Sequence, residues 1–282
     1  MDEFIFNELM NLNMILHNKV ENPVSIQFHL HQTYEVLFFI SGNAGYFVDN
    51  NCYPLKYGDI IITNTTEIHA PVFYSRDTYE RIIFHFSPQL AKHISTPDCN
   101  LEKCFIERPN GRDNKTTLND SHINRFLDMY KTVQYLNAAL INENVILKLG
   151  KLMEILVFIN NVFSNYISRQ YSSIIPVQLG NIINYINNNL SGDLSLETLG
   201  KMFYMNKNYL CTLFNRYTGK TLHQYIIYRR ISYAKQLLMK GNNVTETSLL
   251  CGFNDYSNFV KTFGHIVGET PGCYWKKHEK TD

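Results

Sequence analysis

The stretch "LFNRYTGKTLHQY", residues 213–225, returns 49 residues later as "TFGHIVGETPGCY", residues 262–274. Phe214 and Phe263, Gly219 and Gly268, Thr221 and Thr270, and Tyr225 and Tyr274 fall in register at that one offset. A period this short leaves room for one supersecondary unit, used twice. In the first copy Ser195 caps a short helix with the apolar stripe Leu196, Leu199 and Phe203, and Tyr204-Met205 make a turn. Asn206 then caps a second helix, whose inward side is Leu210, Leu213, Phe214 and Tyr217 and whose end is Gly219. Two short helices across a tight turn, the second with one polar face, spell a helix-turn-helix. In the second copy Val244–Leu250 is the first helix and "CGFN" the turn, with Gly252 free to take positive φ. Asn254 or Asp255 caps a helix that turns Phe259, Phe263 and Val267 inward. Over the first helices the offset is 48, so one residue is added in the turn, where insertions are tolerated.

Between the copies runs "LHQYIIYRRISYAKQLLMK", Leu222 to Lys240, with apolar residues at 222, 226, 227, 231, 234, 237 and 238. This is one helix, and its 19 positions span roughly 28 Å at 1.5 Å per residue. Successive major-groove faces on one side of a duplex lie about 34 Å apart. A rod of that length would hold two reading helices in consecutive grooves, so double-stranded DNA is the expected partner. Charge points the same way, weakly: residues 171–282 carry 12 Lys+Arg against 7 Asp+Glu, and residues 1–170 carry 14 against 18.

The residues Arg230, Ala234, Gly252, Phe253, Phe259, Phe263, Gly268, Pro271 and Tyr274 match the C-terminal signature of the AraC/XylS family of transcription regulators, which the chain resembles over about 100 residues. Leu196, Leu199, Leu210, Phe214, Gly219 and Tyr225 fit its first unit. The resemblance implies that Asn208, Cys211 and Thr212 face base edges from the first reading helix, with the cap Asn206 beside them. Lys207, Asn215 and Arg216 read as phosphate contacts, which position without specifying. On the second helix Tyr256, Ser257, Val260 and Lys261 map to base-facing positions, Lys261 being either a guanine or a phosphate contact. Gly264 stands where the family usually has Lys, Thr247-Ser248 replace Ile-Ala, Gly200 replaces Ala and Trp275 replaces Arg. These departures predict a softer second unit, affinity that depends on dimerisation, and a steep fall with salt.

Residues 24 to about 90 read as short β-branched and aromatic strands, "VSIQFHL", "YEVLFFI", "AGYFVD", "DIIIT" and "ERIIFHF", parted by turn signals. Such a run makes a sandwich or barrel. The stretch resembles the cupin barrel that precedes the DNA-binding module in many members of the family: His29, His31, Glu35 and Gly42 fit the first cupin motif, and Gly58 and His69 the second. The usual Pro-x-Gly is missing, with "NTT" at 64–66 in its place. His29, His31 and Glu35 share parity on an extended chain. Three imidazoles and a carboxylate leave three readings open: a small-molecule pocket, a divalent metal site, or satisfied structural histidines. As effector contacts we name Phe28, His29, His31, Tyr34, Glu35, Phe47 and His69, with Tyr53 as a further wall and no metal or other cofactor assigned. His17, His85, His93 and His122 have no motif around them.

Residues 91–119 show no clear period. From Asp120 the pattern is helical, and Val145, Leu149, Leu152, Leu156, Ile159 and Phe163 follow a 4-3-4-3-4 spacing. Such a stripe is either the seam of a homodimer, the reading adopted, or a helix packed on its own domain. The expected fold is thus α+β multidomain: a cupin-like β-barrel sensor over 1–115, a helical dimerisation region over 116–170, a linker over 171–176, and an all-α domain over 177–282 made of two helix-turn-helix units joined by a long helix. Six scattered cysteines without a CxxC pair suit a reducing compartment. No apolar run reaches the roughly 18–20 residues that a membrane span needs, and the acidic start is unlike a secretory signal, so the cytoplasm is expected. The resulting expectation is a sequence-specific transcription regulator rather than an enzyme. By resemblance it is an activator with RNA polymerase as partner, controlled by a small molecule, with a sugar as one candidate. The alternatives are a metal-dependent cupin enzyme fused to a DNA module, and a regulator that takes no ligand.

Overall fold

The computed structural model describes residues 15–138, 144–166 and 174–279. Eight strands come first: β1 (Ile15–Val20), β2 (Tyr34–Ser41), β3 (Ala44–Val48), β4 (Asn51–Pro54), β5 (Asp59–Thr63), β6 (His69–Phe73), β7 (Tyr79–Phe86) and β8 (Lys115–Thr117). Helices α1 (Pro88–Ile94) and α2 (Lys103–Ile106) precede β8, and α3 (Asp120–Ala138) and α4 (Asn144–Tyr166) follow it. The remainder is helical: α5 (Val177–Asn188), α6 (Leu196–Met202), α7 (Lys207–Thr218), α8 (Leu222–Met239), α9 (Val244–Leu250), α10 (Tyr256–Val267) and α11 (Pro271–Glu279).

The strands form two antiparallel sheets, β1-β7-β2-β5-β8 and β4-β3-β6, in place of a continuous barrel. Alternation on β2 shows how they stack. Tyr34, Val36 and Phe38 pack with α3 and α4 residues such as Phe126 and Leu156, while Leu37 and Phe39 meet Tyr46 and Val48 of the smaller sheet. The outer face of the smaller sheet is covered as well: Phe47, Ala70 and Val72 share a core with Tyr225, Leu210 and Phe214 of the C-terminal domain. The order of layers is therefore helices, large sheet, small sheet, C-terminal domain. Strands buried on both faces read as unbroken apolar runs, and every residue of β3 and β5 is buried.

Several sequence expectations change here. "VSIQFHL" is not a strand; it is an extended segment with one bridge, His29 to His69. Residues 15–20, 51–54 and 69–73 are strands that the sequence reading did not include. The helical region is not separable from the sensor, because β8 joins the large sheet and α3 and α4 cover it. The expected homodimer seam is corrected too: Val145, Leu152, Leu156, Ile159 and Phe163 are buried inside the sensor core, with Leu149 packed against it. The large sheet, not a second copy, covers that stripe. Half of the linker, 171–173, lies outside the described residues, while Ile174 donates its N–H to Cys52 O.

The double helix-turn-helix forms as its punctuation dictates. Ser195 accepts from Thr198 N, Asn206 from Asn208 N, Asn243 from Glu246 N and Asp255 from Asn258 N, each supplying a helix N-cap. Gly219 and Gly268 end α7 and α10 at φ +68° and +88°, the left-handed region that favours glycine. The joining helix α8 opens with a capping box, Thr221 with Gln224, and its 18 residues make a rod of about 27 Å.

Candidate functional site

Glu35 is the centre of the histidine cluster. On β2 it shares the inward face of Leu37 and Phe39, and it is 2 % exposed. One carboxylate oxygen accepts from Tyr46 Oη at 2.7 Å; the other lies 2.8 Å from His85 Nε2 and 3.6 Å from both His31 Nε2 and His69 Nε2. His29 joins by stacking on His31, with ring centroids 5.5 Å apart. Its backbone exchanges two hydrogen bonds with His69. His69 Nδ1 lies 2.9 Å from Glu67 O and so donates to it, which aims Nε2 at Glu35.

The charges divide unequally. Burial works against ionising Glu35, yet His69 and His85 beside it hold its carboxyl well below the usual range. Burial also opposes a charge on His69, but the Glu35 carboxylate outweighs it and the imidazole is pushed up. His29 and His31 go the other way, down to about 4 and about 3, through burial and the charge on His69. The cluster thus holds one buried imidazolium–carboxylate pair, His69 with Glu35, beside the neutral imidazoles of His29 and His31.

This arrangement selects among the expected effector contacts. His29, His31, Glu35 and His69 come together. Tyr34 does not join them: it stacks on Phe105, on the opposite face of β2, and its hydroxyl donates to Glu102. Phe28 and Phe47 face the C-terminal domain, meeting Tyr225. Tyr53 donates to Gly111 O. In their place stand Tyr46 and His85, which no motif marked. Register would have found His85, since it sits opposite Glu35 on β7.

Two polar faces form the candidate DNA interface. On α7 Lys207, Asn208, Thr212, Asn215 and Arg216 are exposed and Cys211 is half-buried, with the cap Asn206 exposed before them. Lys207 is drawn toward Glu197 of α6, at 3.3 Å. On α10 Tyr256, Ser257 and Lys261 are exposed and Val260 is half-buried. The sensor leaves both faces open, so within one protomer it does not mask them.

The sensor grips the scaffold behind those faces. The segment from Ser25 to Gln32 reaches the C-terminal end of both reading helices: Ser25 Oγ donates to Gly219 O at 2.9 Å, and Gln32 Nε2 donates to Val267 O at 3.0 Å. On α8, Arg229, Ser232 and Lys235 are three residues apart and share one face. Arg229 Nη1 lies 2.8 Å from Asp49 Oδ1, Ser232 Oγ donates to Thr66 O, and Lys235 Nζ donates to His31 O at 3.2 Å and Thr65 O at 2.6 Å. His31 is itself a cluster histidine, Thr65 and Thr66 precede β6, which carries His69, and Asp49 follows β3, which carries Tyr46. Backbone from the histidine cluster is thus bonded directly to the helix that joins the two reading units.

Known proteins resemble the two parts of the chain. Residues 16–112 match the AraC-like ligand binding domain, and residues 199–277 match a helix-turn-helix domain. The Msm operon regulatory protein of Streptococcus mutans is 21% identical over 252 residues, 88% of this chain and 86% of that protein. The melibiose operon regulatory protein of Escherichia coli is 30% identical over 113 residues, 40% of this chain and 36% of that protein, so this chain spans little more than a third of its length. Among solved structures, ToxT from Vibrio cholerae covers 94% of this chain and 98% of its own, at 15% identity and a TM-score of 0.39. Among the described residues no helix is long and apolar enough to cross a membrane. With a ligand-binding sensor ahead of a doubled helix-turn-helix, the chain belongs to the AraC/XylS family of transcription regulators.

Proposed function

We propose that a small polar effector binds at His29, His31, Glu35, His69 and His85 and sets how the two reading helices meet DNA. The observation that carries this reading is the Ser25–Gln32 segment, which supplies two cluster histidines and also bonds to the ends of both α7 and α10. An effector that drew His29 and His31 together would move the contacts that orient the reading helices. The shift requires unequal affinity for two arrangements, as any allosteric coupling does. A sugar or another polyhydroxyl compound suits a site of one carboxylate, neutral imidazoles and the Tyr46 hydroxyl, which offers both donors and acceptors. Two relatives named for operon regulation, one of them for melibiose, support that class.

On DNA, Asn208, Cys211 and Thr212 from α7 and Tyr256, Ser257, Val260 and Lys261 from α10 would read bases. Lys207, Asn215 and Arg216 would hold phosphates. Dimerisation would use a stripe displaced by one residue from the buried seam: Ile146, Met153 and Val157 on α4, 66%, 39% and 38% exposed, with Gly150 between them opening onto free space. Activation through RNA polymerase and a cytoplasmic setting belong to the same proposal and rest on the family resemblance.

The experiment is selection of bound sequences from random DNA, with and without candidate sugars. Two half-sites per protomer about one helical turn apart, and a change of affinity or spacing with one sugar that His31→Ala abolishes, are expected. Protection of a single short patch per protomer would overturn the reading.

One observation favours a second reading of the cluster. His69 Nε2 is buried with no hydrogen-bond partner, and it lies with His31 and Glu35 donor atoms all within 4.8 Å of one another. Two imidazoles and a carboxylate fit a divalent metal, which would supply a Lewis-acidic anchor for an effector hydroxyl. Elemental analysis of protein purified without added metal decides: stoichiometric metal lost in His69→Ala supports this reading, and metal-free protein that still responds to the effector removes it.

A further inference from the structure

A separate cavity of about 300 Å³ opens where the sensor meets the end of the first reading helix. Its walls include Pro23, Ser25, Pro71, Tyr74, Arg76 and Lys220, drawn from both domains. None of the histidine-cluster residues lines it.

Lys220 sets its chemistry. The residue is 3% exposed, immediately after the Gly219 cap of α7. Its ammonium donates to Ser25 Oγ at 2.9 Å and Gly219 O at 3.3 Å, and both of these oxygens are neutral. An ammonium has three donors, so one N–H is left without an acceptor among the described residues. Three other buried cations among the described residues each have a carboxylate: Arg108 has Glu67, Lys115 has Asp59 and Arg229 has Asp49, while Arg81 lies over the face of Tyr79. Lys235 has two carbonyl oxygens and the face of Tyr274. An ammonium held out of water without a counter-charge is unfavourable.

A second cation points to the same place. Arg76 lines the cavity from the exposed turn after β6 and has no carboxylate partner among the described residues; the adjacent Asp77 is engaged by the Ser75 hydroxyl at 2.6 Å. An ammonium at the wall and a guanidinium at the mouth form a pair of donors suited to an oxyanion. The space equals that of about ten water molecules, so the ligand is small.

We propose that this cavity is a second ligand site, which takes a small organic oxyanion, a phosphate monoester or a carboxylate, between Lys220 and Arg76. Because the wall includes the cap of α7, the bound anion ties the sensor to the first reading helix. The lining of the cavity is distinct from the effector cluster, although Ser25 lies on the segment that carries His29 and His31. Burial alone pushes the Lys220 amine down to about 8, and a bound anion would reverse that, so binding at pH 8.5 should take up protons.

The test is calorimetric titration of the full chain with glycerol 3-phosphate, glycerate and inorganic phosphate, with neutral glycerol as control. Saturable binding of at least one anion and none of glycerol is expected, and the stronger of the first two identifies the head group. Lys220→Met should weaken binding about tenfold or more, and Lys220→Arg should restore most of it. Repeating the titration in two buffers of different ionisation enthalpy reads the proton uptake. Should Lys220→Met fail to fold by circular dichroism, Arg76→Gln, at an exposed position, carries the test with an expected loss of about threefold or more. His31→Ala should leave anion binding unchanged, which separates this site from the proposed effector cluster. No saturable binding by any of the anions, or binding that survives in the folded Lys220 and Arg76 variants, would overturn the proposal.

Discussion

Arg229 and Asp49 pair at 2.8 Å across the boundary between the sensor and the DNA-binding domain, and both are withdrawn from solvent. The same Asp49 carboxylate accepts from Ile68 N, one residue before His69. Removing one member of a buried pair strands the other charge, at about 3–5 kcal/mol. Asp49→Ala and Arg229→Ala should each lower the unfolding free energy from urea titration by that amount, and the double variant should lose clearly less than their sum. Additive losses in a double-mutant cycle would mean that the two do not act as a pair.

Two glycines should respond in opposite directions. Gly252 holds φ +76°, and a Cβ there would sit 2.3 Å from Leu190 O. Gly252→Ala therefore forces both strain and a backbone shift, and should cost upwards of about 1–3 kcal/mol. Gly264 lies inside α10 with only Glu269 O near a Cβ, at 4.0 Å. Gly264→Ala should stabilise by up to about 1 kcal/mol. Thermal melts of the two variants, read against the wild type, check both signs.

The docking of α8 on the sensor should tighten as pH rises above neutrality. Burial pushes Lys235 down to about 7, against 10.5 for the free amine, with Glu269 acting weakly in the other direction. Between those values the unfolded or undocked chain binds more protons than the docked one, so stability rises with pH across that window and flattens below about 7. Urea midpoints at pH 7 and pH 9 should differ in the wild type, and the difference should shrink in Lys235→Met.

For DNA, Lys261→Ala tests a base contact against a phosphate contact. Loss of discrimination at one base pair, about 1–3 kcal/mol, is the outcome expected of a guanine contact. A uniform loss over all sequences, with a shallower salt dependence, is the outcome for a phosphate contact.

The dimer proposal separates neighbouring residues on one helix. Met153→Asp should leave the fold intact and yield monomers by sedimentation. Leu152→Asp, at a position 1% exposed, should unfold the sensor. A dimer that survives Met153→Asp places the contact elsewhere.

The helix-turn-helix pair was legible almost residue by residue because its signals are local. Caps at Ser195, Asn206 and Asp255 and stops at Gly219 and Gly268 act within four residues of where they stand. The sensor was legible in class but not in detail. "VSIQFHL" has the alternation of a strand, yet its Phe28 and Leu30 are buried in the core shared with the C-terminal domain. Alternation reports two faces without naming what covers them. The heptad of α4 misled for the same reason: Leu152 and Leu156 needed a partner, and spacing does not say whether that partner is a sheet or a second chain. Likewise the cupin-like motif located His29, His31, Glu35 and His69, but not His85, which reaches Glu35 through a strand pairing 50 residues distant, nor Tyr46, which reaches it from the other sheet.

The stretch from Ser25 to Gln32 works as a ruler laid across the duplicated unit. Its two ends rest on the last turns of the two reading helices, at Gly219 and Val267, one residue out of the repeat register. Its length and the separation of the copies are therefore not free to vary independently. One residue inserted between Ser25 and Gln32 should leave both copies folded but misaligned. A compensating operator, with its half-sites moved apart or together, would then be preferred over the native one.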